Sequence, residues 1–325
     1  MIYEKFRDIY SKINNYGIIP VIKIEDAGKA VPLAEALAFG GLNIAEITFR
    51  TECAAEAIKK ISAAFPDMLL AAGTVLTVEQ VKSAVDSGAQ VIISPGFSEN
   101  IVSYCMKNNL IVIPGCSSAG DIERALSMGI DVVKFFPAEA SGGLDMLKAL
   151  SAPYSQVKFI PTGGITENNL VDYLSHKSVL ACGGSFMVKE EYIRNSEFDK
   201  IRDLTTNTVQ KMLGFDLAHV VINCENTEQA ERDSSKIESI FGLKKTDAGA
   251  SVTNADILHF MKSRSYGKNG QIAICSNFIE RAVFYLKEAK KEFIDESARF
   301  DSDGKLIWIY LDNIVGGFAI KLVRK

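Results

Sequence analysis

Between Gly17 and Met187 one arrangement returns eight times: a short run rich in Ile and Val, a turn, then a stretch with helical spacing. The runs are GIIPVIKI, LNIAEITF, MLLAAGTV, AQVIISPG, LIVIPGCS, DVVKFFPA, VKFIPTGG and SVLACGGS, set roughly 20–26 residues apart, the spacing of βα units. They are almost continuously apolar instead of alternating, as expected of parallel strands covered on both faces. The segments between them, such as AVPLAEALAFGG and AGDIERALSMGI, place apolar residues at helical steps, and Gly40, Gly88 and Gly129 stand where helices stop. The LxxLxL pattern of a leucine-rich solenoid is absent. Eight parallel strands with eight helices close most economically into a (β/α)8 TIM barrel, here preceded by an extra N-terminal helix in MIYEKFRDIYSKINNYG. An open doubly wound sheet is the competing arrangement.

After Tyr192 the pattern changes. EFDKIRDLTTNTVQKML predicts a closing helix. From about Gly214 the chain reads as strand AHVVINC, helix TEQAERDSSKIESIFG, strands around ASVTN and ADILHFMKS, strand NGQIAICS, helix FIERAVFYLKEAKKEF, and strands LIWIYLDN and GGFAIKLVRK. That is a βαβββ unit written twice, with antiparallel-compatible strands. It divides the chain into residues 1–212 and a smaller α+β domain, residues 213–325, a comfortable partition of 325 residues.

Composition narrows the partners. Apolar residues at 47% and charged residues at 23% exclude a disordered chain. A net charge of −4 with no long Lys/Arg run speaks against nucleic acid. No stretch approaches the roughly 18 uninterrupted apolar residues of a membrane helix, and the N-terminal segment lacks the apolar core of a signal peptide. Six scattered cysteines without a CxxC pair predict reduced thiols in a cytoplasmic protein.

The most unusual residue in the barrel half is Lys134, in DVVKFFPAEA, where a buried strand is expected. Burial strips hydration from an ammonium and favours the free amine, which condenses with ketones to a Schiff base. A snorkelling strand-end lysine is the alternative, and the commoner one for a lysine taken alone. In NIAEITFR, Glu46, Thr48 and Arg50 share one face at period two. A carboxylate inside a barrel mouth suits general acid–base work, and an Arg fork at a strand's end suits a substrate carboxylate. An internal Glu46–Arg50 ion pair is the alternative. The last two runs end in Gly-rich turns, Pro161-Thr162-Gly163-Gly164 and Cys182-Gly183-Gly184-Ser185, at the two places where eight-stranded barrels commonly receive phosphate. His176 is the only histidine of this half and stands at a helix end, which predicts a helix-terminal cation and no metal cluster.

The strings IAEITFRTECAAEAI, AAGTVLT, ISPGFSE, VVKFFPAEASGG, FIPTGGI and CGGSFMV resemble the 2-keto-3-deoxy-6-phosphogluconate (KDPG) aldolases, some of which also act on 4-hydroxy-2-oxoglutarate (KHG), over nearly all of residues 1 to about 210. The resemblance implies a metal-independent Schiff-base aldolase on a (β/α)8 fold, with no cofactor, cleaving KDPG to pyruvate and D-glyceraldehyde 3-phosphate and assembled as a homotrimer. It implies Lys134 as the Schiff-base lysine and Glu46 as the general acid/base. Arg50 and Thr74 would hold the pyruvate carboxylate, Pro95 and Phe136 would line the pocket, and Thr162, Gly163, Gly164, Gly184 and Ser185 would receive phosphate. Phe186 stands where the family often has Trp, which alters the wall of the pocket. The galactonate-series substrate, differing at one stereocentre, and a non-catalytic sugar-acid-phosphate sensor are the alternatives.

The C-terminal strings HVVIN, ILHFMKS, NGQIAI and GGFAIKLV resemble the glyoxalase/extradiol-dioxygenase superfamily. The resemblance places its ligand positions on His219, His259, Gln271 and Lys321, and a lysine among them would repel a divalent cation. No functional metal site is expected in this half.

Overall fold

The computed structural model describes residues 2–325, with side chains from residue 4 onward. The chain divides into two compact units, Met1–Val209 and Gln210–Lys325, the division falling within the helix Phe198–Leu213.

In the first unit the apolar runs form β1 (Ile18–Ile22), β2 (Ile44–Thr48), β3 (Leu69–Gly73), β4 (Val91–Ile93), β5 (Ile111–Ile113), β6 (Gly115–Cys116), β7 (Val132–Phe135), β8 (Lys158–Pro161) and β9 (Cys182–Gly184). β5 and β6 are one run interrupted at Pro114, which has no N–H to give to a ladder but whose carbonyl accepts from Lys134 N at 2.9 Å. The strands pair in parallel, in the orders β5-β4-β3-β2-β1-β9 and β6-β7-β8. Bridges Phe159↔Val179 and Thr162↔Gly183 join the two sheets, so the strands close into a (β/α)8 barrel. Every residue of β2 and β3 is buried, because one face of each strand lies against helices and the other against the barrel interior.

Helices Ala30–Phe39, Ala54–Ala64, Val78–Asp86, Glu99–Lys107, Ala119–Ser127 and Gly143–Ser151 follow successive runs. Ser118 shows why one of them starts where it does: its hydroxyl accepts from Asp121 N while the Asp121 carboxylate accepts from Ser118 N, a reciprocal cap. The expected N-terminal helix is two pieces, Ile2–Lys5 and Arg7–Tyr16, separated at Phe6, where φ −118° and ψ 32° leave the helical range; its expected first residue lies outside the described residues.

The second unit contains β10 (Asp216–Asn223), helix Thr227–Phe241, β11 (Lys245–Asp247), β12 (Ser251–Asn254), β13 (Leu258–Met261), β14 (Gly270–Ser276), helix Ile279–Glu288, β15 (Phe293–Phe300), β16 (Leu306–Val315) and β17 (Phe318–Arg324). These are two βαβββ modules in one eight-stranded sheet, ordered β11-β12-β13-β10-β14-β17-β16-β15. Two details differ from the sequence expectation. The sheet is mixed, because the first strand of each module pairs in parallel with its last, β10 with β13 and β14 with β17. The helix after β14 stops at Glu288, and β15, an edge strand masked by Asp295, Glu296 and Arg299, was not anticipated.

Candidate active site

β7 and β2 each carry one ionisable side chain into the barrel. Lys134, 5% exposed, and Glu46, 2% exposed, meet at 3.0 Å between Nζ and Oε1. A buried ammonium and a buried carboxylate are tolerated only in such contact, and a proton can pass between them without an intervening water. The alternative, an internal Glu46–Arg50 ion pair, does not form; Lys134 takes the carboxylate. Room for it comes from Gly73 on the neighbouring strand: a Cβ there would stand 2.1 Å from Glu46 Oε1. The Lys134 ammonium also lies 5.4 Å from the centre of the Phe136 ring.

Arg50 lies just past β2, exposed, its Nε donating to Thr48 Oγ1 at 3.2 Å, while Thr48 Oγ1 donates to Ile22 O at 2.8 Å. Among the described residues Arg50 has no carboxylate partner, so its charge is uncommitted within the protein. Thr74, the first residue after β3, has φ +55°, a left-handed conformation rare for a β-branched residue and of the kind found at functional sites. Pro95 follows β4, and its carbonyl abuts β6 so closely that a Cβ on Gly115 would lie 2.0 Å from it.

The Gly-rich turns stand side by side at the ends of β8 and β9. Thr162 is buried and faces Gly183, where a Cβ would come within 2.3 Å of Thr162 Oγ1. Gly163 and Gly164 have φ +95° and +85°, which glycine adopts without penalty. Gly164 packs on Glu139 and Gly184 on the Phe186 ring; Ser185 is exposed. Among the described residues the N–H groups of Gly164 and Ser185 find no acceptor, leaving two donors at one end of the barrel. Glu139, which accepts a short hydrogen bond from Tyr173 OH and supports this turn, was not singled out from sequence; its place in FFPAEA, beside Lys134, was the available signal.

His176 does not act as the expected helix-end cation. Its Nδ1 accepts from Ser178 N at 3.3 Å, and burial, with Lys148, Lys177 and Lys158 nearby, pushes its pKa down, so the imidazole is neutral. No group of three or more His, Cys, Asp or Glu side chains suited to a metal ion occurs among the described residues.

The family model described as "Aldolase: KDPG and KHG aldolase" matches residues 9–204. A 2-dehydro-3-deoxy-phosphogluconate aldolase of Treponema pallidum is 50% identical over 202 residues, 62% of this chain and 96% of that protein. The KHG/KDPG aldolase of Escherichia coli K12 is 40% identical over 193 residues, 59% of this chain and 91% of that protein. Among solved structures, KDPG aldolase from Legionella pneumophila, with pyruvate captured as a covalent carbinolamine intermediate, is 40% identical with a TM-score of 0.60, covering 61% of this chain and 97% of that one.

Proposed function

The chain belongs to the KDPG and KHG aldolase family, and from that premise we propose that it is a Schiff-base lyase cleaving KDPG to pyruvate and D-glyceraldehyde 3-phosphate. The observation that carries the reading is the buried Lys134–Glu46 contact at 3.0 Å. Glu46 takes the proton of the Lys134 ammonium, and the freed amine attacks the C2 ketone. Glu46 then protonates the carbinolamine hydroxyl, which leaves as water. The resulting iminium draws in the C3–C4 bonding pair as the C4 hydroxyl gives its proton to Glu46, releasing the aldehyde. The enamine takes that proton at C3, and water hydrolyses the imine to pyruvate, restoring Lys134.

In the same reading the uncommitted Arg50 guanidinium and Thr74 receive the C1 carboxylate. Pro95 and Phe136 form the wall. Thr162, Gly163, Gly164, Gly184 and Ser185 receive the phosphate at the free N–H groups. KHG, which lacks a phosphate, fits the same reacting half. Borohydride added with pyruvate should attach label to the Lys134 peptide. Label on another peptide, or none on folded protein, overturns the mechanism.

Assembly as a homotrimer belongs to the same proposal. Light scattering should return about three times the 35.5 kDa of one chain.

A further inference from the structure

The second unit's sheet carries a set of polar groups that the aldolase reaction does not use. Register aligns His219 on β10, Ala273 on β14, Lys321 on β17 and Tyr310 on β16 in one cross-strand row, so all four side chains share a face. His219 and Lys321 are two strands apart, roughly 10 Å between their backbones, and only the methyl group of Ala273 lies between them. Trp308, two residues before Tyr310, stands on the same face.

Both flanking groups lack partners of the kind they ordinarily take. Lys321 is half-buried and has no carboxylate among the described residues; its ammonium instead lies 4.2 Å from the Trp308 ring centre and 5.8 Å from that of Tyr310. Tyr310 is in turn stacked on Tyr266 at 4.9 Å. A cation–π contact is worth about 0.5–2 kcal/mol, and it leaves the three ammonium donors free of any acceptor. His219 stacks on His259 at 4.6 Å, and neither of its ring nitrogens has a hydrogen-bond partner among the described residues. His259, by contrast, is tied down, donating from Nε2 to Asp256 O at 3.2 Å. Lys321 is close enough to His219 for its charge to disfavour imidazolium.

Here are two donor-bearing side chains, unanswered by any acid, on one face of the sheet, with the buried Ala273 between them and aromatic rings beside each. We propose that this face of the second unit is a binding site for a small oxyanion, a carboxylate or a phosphate, held by Lys321 Nζ and a His219 ring N–H. The aromatic pair Trp308 and Tyr310 keeps the ammonium in place when the anion is absent, so little side-chain entropy is lost on binding.

Trp308 is the only tryptophan of the chain, so its emission reports this site in the full-length protein. Inorganic phosphate and succinate are titrated separately against sodium chloride of matched ionic strength. At least one of the two should change Trp308 emission saturably, and which one does identifies the anion class. Lys321→Met should weaken that response about tenfold or more, since a charge-assisted contact is lost, while Lys321→Arg retains it within a few-fold. His219→Gln should weaken it several-fold with Lys321 intact. An unchanged far-ultraviolet circular dichroism spectrum and a cooperative denaturant transition certify the variants as folded. The proposal is overturned by the absence of any saturable response up to tens of millimolar of both anions, or by a response that survives Lys321→Met.

Discussion

Glu46 and Lys134 depend on each other for stability as well as, in the proposed mechanism, for proton transfer. Removing either leaves the other as a buried, uncompensated charge, at a cost of about 3–5 kcal/mol. Lys134→Ala therefore lowers stability while it abolishes imine formation, and an inactive variant is informative only alongside a melting curve. Glu46→Gln separates the two effects better, because the amide retains the volume and an acceptor oxygen for Lys134. It should lower kcat by roughly 10²–10⁴-fold, the usual worth of a positioned acid or base. Trapping of pyruvate at Lys134 should persist, though more slowly; steady-state rates and borohydride labelling of one preparation check both. A kcat within a few-fold of the parent would remove Glu46 from the proton path. These residues could be read in advance because a lysine and a glutamate inside apolar strands are conspicuous. Gly73 could not: its meaning is the absence of a side chain 2.1 Å from a carboxylate on another strand.

At the scale of elements, the chemistry divides between rigid strands and the turns that follow them. Lys134 and Glu46 sit within β7 and β2, whereas Thr74, Gly163, Gly164 and Ser185 lie in the turns just past β3, β8 and β9. In the proposed mechanism the strand pair and the Thr74 turn serve any 2-oxo acid, and the turns after β8 and β9 serve only a phosphorylated one. Ser185→Ala should thus raise KM for KDPG by about tenfold, the worth of one hydrogen bond to a charged group, and leave turnover of 4-hydroxy-2-oxoglutarate within experimental scatter. Parallel kinetics on both substrates decide the matter, and equal losses would place the phosphate elsewhere. Turn residues were legible as a group because two Gly-rich motifs closed the last two runs. The orphan N–H groups emerged only once the ladder bonds of β8 and β9 were known.

For the whole molecule, the two units can be followed separately, since Trp308 lies in the second and no tryptophan lies in the first. Burial, with His259 and Lys321 close by, pulls the pKa of His219 from its ordinary 6.5 down to about 4. Between those values the unfolded chain binds a proton that the folded unit refuses, so the second unit should lose stability as pH falls from about 6.5 toward 4. Denaturant midpoints followed by Trp308 emission test this, and His219→Gln should flatten the slope over that interval; a slope unchanged by the substitution would assign the effect to other groups. The eightfold recurrence of apolar runs was enough to announce a barrel, because a parallel strand buried on both faces must be apolar throughout and the helix between two such strands must repeat at its own period. The same local logic failed for β15, whose acidic, edge-facing residues carry no strand signature, and for the parallel pairing inside each βαβββ module. Register and partner choice are set by contacts between residues distant in the chain. For that reason the meeting of Lys134 with Glu46 instead of Arg50, and the row that brings Lys321 toward His219, exist only in the folded molecule.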